Sequence, residues 1–139
     1  MAVQTKTITV STNGYSDVVD LTNKVEEILV EQDINTGIVS LFIPGSTAGL
    51  TTIEYEPGCV QDMKNALERI FPESDQYAHN ARWGDGNGFS HMRAAFLGPS
   101  LQIPFRSKHL MRGTWQQVIL IDFDNKHRNR EVVLQFIGE

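Results

Sequence analysis

The spacing of apolar and polar residues divides the chain into short strands and two clear helices. Thr5 to Val10 carries β-branched side chains at nearly every position and reads as a strand. Ser11-Thr12-Asn13-Gly14 is a turn cluster, and its Asn-Gly pair predicts a hairpin in which Tyr15 to Val19 pairs back. Val25, Ile28, Leu29 and Gln32 fall on one helical face, with Asn23 or Thr22 as the expected cap and Asn35-Thr36-Gly37 as the stop. Gly37 to Ile43 is short and densely apolar, the pattern of a strand buried on both faces. Pro44-Gly45-Ser46-Thr47-Ala48-Gly49 interrupts it with a bend, and Leu50 to Tyr55 resumes as strand, placing Thr52 and Glu54 on one face.

The second helix spans Val60 to Phe71, where Val60, Met63, Leu67, Ile70 and Phe71 form a stripe and Pro72 ends it. Asp62 in its first turn is accounted for by the helix dipole. Ser90 to Leu97 has the spacing of a short helix stopped by Gly98-Pro99. Ser100 to Phe105, Leu110-Met111, Val118 to Phe123 and Glu131 to Ile137 read as strands, with turns at 106–109 and a polar hairpin turn at 124–130. The sum is one α+β domain over residues 1–139, mostly antiparallel, with two main helices and sheet faces that an oligomer would cover.

Composition narrows the function classes. A net charge of -5 argues against broad binding to nucleic acid or an acidic membrane face. No apolar run approaches the length of a membrane span, and the first residues lack a signal core. The single cysteine, Cys59, suits a reducing compartment, so a cytoplasmic protein is expected.

Candidate chemistry concentrates in Tyr77 to His91, which holds two histidines and a dense set of glycines. Glycines let the backbone approach a ligand closely, and a histidine pair can bind a metal or move a proton. The competing reading is a glycine-rich surface loop.

Several motifs then fall in order: Gly45 to Glu54, Tyr77-Ala78-His79, Asn87-Gly88-Phe89-Ser90-His91, Leu97-Gly98-Pro99-Ser100 and Gly113-Thr114-Trp115-Gln116. On these the chain resembles the YjbQ family, a group known as secondary thiamine-phosphate synthase enzymes. The resemblance covers almost the whole chain. It implies an α+β homotrimer with a site near subunit boundaries and a metal at clustered histidines. It also implies a weak thiamine-phosphate synthase activity, which joins a hydroxymethylpyrimidine diphosphate to a thiazole phosphate and releases pyrophosphate. In many members a histidine opens the motif that here begins at Gly45, so this chain brings one imidazole fewer.

The expected catalytic residues are His79, His91, Glu54 and Asp85. As metal ligands, His79 and His91 would be completed by Glu54 or Asp85 and water, with zinc or magnesium as the candidate cofactor. Without metal, either histidine can protonate a leaving phosphate oxygen. For a small phosphorylated ligand, the expected contacts are Gly45, Ser46, Thr47, Asn87 and Gly88 through backbone amides, and Trp115, Gln116, Arg128 and Arg130 through side chains. Arg93 and Arg82 are further cationic candidates, and the alternative function is a trimeric module that binds a small anion or metal without turnover.

Overall fold

A computed structural model describes residues 1–139. Its elements run β1 (Ala2–Thr12), β2 (Asp17–Asp20), α1 (Thr22–Glu31), β3 (Thr36–Phe42), β4 (Ala48–Ile53) and α2 (Pro57–Ile70). They continue as α3 (Ala78–Trp83), α4 (Gly88–Leu97), β5 (Ser100–Arg106), β6 (His109–Leu110), β7 (Gln117–Asp122) and β8 (Arg128–Gly138). All strand pairs are antiparallel and form two sheets, ordered β1-β8-β3-β5-β6 and β2-β7-β4.

The expected hairpin of the first two strands does not form. β1 pairs along its whole length with β8, from Ala2 opposite Gly138 to Thr12 opposite Arg128. Asn13-Gly14 does turn the chain, but Gly14, Tyr15 and Ser16 take positive φ in succession and swing it into the other sheet, where β2 pairs with β7. The segment 124–130 is likewise no hairpin, since it carries the chain from β7 in one sheet to β8 in the other.

Alternation explains how the layers stack. Val118 and Leu120 of β7 join the larger core, which fills the space between the two sheets with Ile8, Leu41, Phe105, Leu134 and α1 residues Val25 and Leu29. Ile119 and Ile121 point the opposite way and meet Leu67 of α2 and Ala94 of α4. The three-stranded sheet is therefore buried on both faces. The five-stranded sheet is buried on one only, and here the sequence expectation for Gly37 to Ile43 fails, because Ile38 and Phe42 face outward.

Helix starts also differ from expectation. α1 begins at Thr22 with no cap from Asn23, and the Asp20 carboxylate instead accepts from the Thr22 amide (2.9 Å) and hydroxyl (2.6 Å). α2 begins at Pro57, and the Glu56 carboxylate accepts from the amides of Gly58 and Cys59 at 2.7 and 2.8 Å. Those two bonds hold the Glu56 carboxyl below its ordinary pKa. The glycine-rich stretch is not all loop, because Ala78–Trp83 forms the helix α3.

A histidine pair at the junction of α3, α4 and the β3–β4 loop

α3 and α4 meet because Asn80 reaches across, its Oδ1 accepting from the Gly88 amide at 2.8 Å. Gly88 is needed there for packing, since a Cβ would lie 2.5 Å from Cβ of Tyr77. This assigns Gly88 to the joint between the helices rather than to a ligand. The joint sets His79 of α3 against His91 of α4, with ring centroids 4.4 Å apart and planes tilted by 48°.

Each ring has a distinct partner. His91 Nδ1 lies 3.1 Å from the Ser46 carbonyl oxygen. A carbonyl only accepts, so Nδ1 carries the hydrogen, and in the neutral ring Nε2 is left bare. His79 Nδ1 stands 3.3 Å from Asp85 Oδ1, within ion-pair reach but without hydrogen-bond alignment, and it is otherwise an unsatisfied buried nitrogen. Ser46 and Gly45 line a cavity of about 180 Å³ with His91, Ala94 and Pro99.

Behind the loop lies a buried charge network. Arg130 donates to Asp122 through Nε at 2.7 Å and Nη2 at 2.9 Å, and through Nη2 to Thr47 Oγ1 at 2.6 Å. Thr12 donates to Asp122 Oδ2 at 2.5 Å, and Thr47 to Asp124 Oδ2 at 3.3 Å. Arg128 closes on Asp124 with Nε at 2.8 Å and Nη2 at 2.7 Å. Asn87 sits between Asp124 and Asp85: its amide nitrogen reaches Asp124 Oδ1 at 3.3 Å in one orientation, and Asp85 Oδ1 at 3.0 Å with the amide turned over. Burial alone would raise the Asp122 and Asp124 carboxyls. The bonds from Arg130, Thr12 and the Asp124 amide outweigh that for Asp122, and those from Arg128, the Asn125 amide and Asn87 outweigh it for Asp124, so both end below the ordinary value.

The expected residues thus divide. Gly45, Ser46, Thr47, His79, Asp85, Asn87 and His91 converge, with Arg128 and Arg130 behind them. The two guanidiniums are not free forks, because each is matched to a buried carboxylate. Glu54 does not join the histidines. It follows the far end of β4, about 20 Å from Ala48 at the usual strand rise of ~3.3 Å per residue. There it lines a separate cavity with Trp115, Tyr55 and Gln117. Gln116 is turned back on its own loop, accepting from the Gly113 amide at 2.7 Å. Arg93 is buried and clamps α4 to α2 and the β1–β2 turn, donating to Glu68, the Phe71 carbonyl and Ser16.

Asp122, Asp124 and Asn80 escaped the sequence reading. A signal for the first was present: an aspartate inside the most apolar run of the chain needs a buried partner. For a metal, the donor set falls short. No three His, Cys, Asp or Glu side chains of the chain approach closely enough to hold an ion, and Asp85 attends only one imidazole.

Two antiparallel sheets, a helical layer on one of them and a histidine pair at the helix junction define an α+β domain of YjbQ type. The family model described as UPF0047 protein YjbQ-like matches residues 6–139, and the chain belongs to this family. It is similar to a UPF0047 protein of Mycobacterium bovis, 34% identical over 120 residues that cover 86% of this chain and 91% of the relative. Among solved structures, a YbjQ-like protein of unknown function from Sulfolobus solfataricus P2 superimposes with a TM-score of 0.94 at 33% identity, covering 99% of both chains. A hypothetical protein from Aeropyrum pernix K1 gives 0.90 at 30% identity, covering 98% of this chain and 99% of the other. No helix is long and apolar enough to cross a membrane.

Proposed function

We propose that this protein is a cytoplasmic enzyme acting on a small phosphorylated metabolite, with chemistry of the thiamine-phosphate-synthase type. The observation that carries this reading is the His79–His91 pair set against the Gly45–Thr47 loop. None of the Gly45, Ser46 and Thr47 backbone amides is spent on an acceptor within the chain, which suits them to phosphate oxygens. In the reaction, a thiazole nitrogen forms a bond to the pyrimidine methylene carbon while that carbon's bond to the diphosphate oxygen breaks. The pyrophosphate leaves with the bonding electrons. His91, when protonated, delivers a proton from Nε2 to the departing oxygen, and Ser46 keeps the ring aimed through Nδ1.

The 180 Å³ cavity is smaller than the ~300–1,000 Å³ that small-molecule sites occupy, which favours completion by a neighbouring subunit. The assembly proposed is a homotrimer, three times the 15.6 kDa chain mass by light scattering. Purified protein with both substrates should release pyrophosphate and form thiamine phosphate. His79→Ala and His91→Ala should each slow this by ~10²-fold or more. Equal rates in parent and variants would sink the catalytic assignment. The imidazole that Gly45 does not supply favours a second reading, a non-catalytic module that binds a small anion or metal. It predicts stoichiometric calorimetric binding of a phosphate ester with no turnover.

A further inference from the structure

The three-stranded sheet has two ends, and the histidine site uses one of them. Asp17, Asp122 and Ala48 lie level at that end. At the other, Asp20 closes β2, Ile53 closes β4 and Gln117 opens β7. There a second cavity of about 410 Å³ opens among Asp20, Glu54, Tyr55, Glu56, Trp115 and Gln117. Its volume falls within the ~300–1,000 Å³ of small-molecule sites, which the cavity beside His91 does not reach.

Two aromatic rings stand open in this cavity, Trp115 at 69% exposure and Tyr55 at 47%. Gln117 ties together the segments that bear them. Its Oε1 accepts from the Tyr55 amide at 2.9 Å, and its Nε2 donates to the Thr114 carbonyl at 3.0 Å. The Tyr55 hydroxyl donates to the Val18 carbonyl at 3.3 Å. The rings are thus held in place without a ligand, which lowers the ordering cost of binding one. A ligand that covers them also removes apolar surface from water.

The charge around the rings has a single sign. Asp20, Glu54 and Glu56 line the cavity with no basic side chain among them, and none of the three is in an ion pair. Asp20 and Glu56 also bond helix starts, while the Glu54 carboxylate is committed to nothing. Arg112 donates to carbonyls of the Trp115 loop, but it is matched to Glu26 and stays outside the lining. The phosphorylated ligand expected at Trp115 from the sequence would be repelled here. A bare divalent ion does not suit the cavity either, because no three carboxylates approach closely enough to hold one. The fitting ligand is a cation with separated charges and an apolar body. An aliphatic polyamine has both. Its ammonium groups can each meet a different carboxylate, and the methylenes between them can lie on the faces of Trp115 and Tyr55.

We propose that this cavity is a binding site for an aliphatic polyamine, with Glu54 receiving an ammonium group and Trp115 covering the chain beside it. The site stands at the far end of β4 from the histidine pair and does not rest on the chemistry proposed there.

The test is calorimetry of the full chain with spermidine, with circular dichroism as the check on folding. Spermidine should bind saturably, once per chain. Glu54→Gln and Trp115→Ala should each weaken it by about tenfold. Both residues are exposed, so neither change opens the core, and Glu54→Gln keeps the test alive if the other variant unfolds. Glu131→Gln, on the other sheet, removes the same charge elsewhere and should bind as the parent does. Butylamine, with one ammonium group, should bind about tenfold more weakly than spermidine. In a Trp83→Phe background Trp115 is the only tryptophan, and its fluorescence should follow the same isotherm. No saturable binding, or unchanged affinity in both folded cavity variants, overturns the site. An equal loss in Glu131→Gln reduces the effect to net charge and overturns it as well. Butylamine binding as tightly as spermidine overturns the polyamine as occupant. None of these readouts depends on turnover, so a failure here is distinct from a failure of the histidine site.

Discussion

Arg130 Nη2 lies 2.6 Å from Thr47 Oγ1, so a guanidinium buried on the last strand grips the loop that the histidine site is built on. The same guanidinium is held by Asp122, and the residue before Thr47 offers its carbonyl to His91. Charge pairing in the core is thus linked through two residues of loop to the orientation of an imidazole.

Removing one partner of this pair should be costly. Asp122 is fully buried, and Asp122→Asn leaves Arg130 with only the Asp124 carboxylate at 4.0 Å, which Arg128 already engages, at an expected loss of about 3 kcal/mol in denaturant unfolding. Asp122→Leu combined with Arg130→Met removes both charges and should lose less than the sum of the two single changes. Strict additivity would show that the pair is not coupled.

Stability should depend on acid pH in a defined direction. The Asp122 and Asp124 carboxyls are depressed in the folded protein. Their stabilisation is complete above the unfolded carboxylate value of about 3.9 and is lost as pH falls through the lower folded values. The Tm should therefore fall below about pH 4. An Asp122→Asn, Asp124→Asn double variant should start lower and fall less steeply. Parallel curves would count against these two groups as the source.

The sequence made the local parts legible and hid what depends on distant pairing. The stripe from Val60 to Phe71 gave α2 because its periodicity is local, and Leu67 indeed enters a core. The strand at Thr5 to Val10 is legible but its pairing is not, because its partner, β8, stands at the opposite end of the chain and nothing near Asn13-Gly14 records that. Arg130 sits in a polar run that resembles a turn, yet alternation places it opposite Val10 on the inner side of β8. The His79–His91 pairing follows from packing of α3 on α4 around Gly88, a contact with no sequence periodicity to announce it. Glu54 was grouped with the histidines by type, and strand length separates it from them.

Arg93 should tolerate no replacement by lysine. Its side chain is only 3% exposed and spreads donors over Glu68 at 2.6 Å, the Phe71 carbonyl at 2.8 and 3.1 Å and Ser16 at 3.0 Å. A lysine ammonium cannot reach three acceptors in that planar fan. Arg93→Lys should cost about 2–3 kcal/mol. Hydrogen exchange should speed up first in α2, whose C-terminal cap at Phe71 the guanidinium holds. Uniform acceleration across both sheets would instead indicate a general loss of stability.

Gly45 carries the last prediction. Its φ of +116° is a conformation that a side chain disfavours, and a Cβ there would stand 3.2 Å from Arg130 Nη1, tighter than ordinary contact. Gly45→Ala should therefore destabilise by about 1–3 kcal/mol, although alanine lowers the entropy of the unfolded chain. The strain has a specific route outward. Arg130 also bonds Thr47, so a guanidinium pushed aside shifts the loop and lengthens the contact between the Ser46 carbonyl and His91. Ring-nitrogen NMR of His91 should then show Nδ1–H dominant in the parent and a mixture of tautomers in Gly45→Ala. A destabilised variant whose His91 tautomer is unchanged would confine Gly45 to a backbone role and break the link from Arg130 to the imidazole.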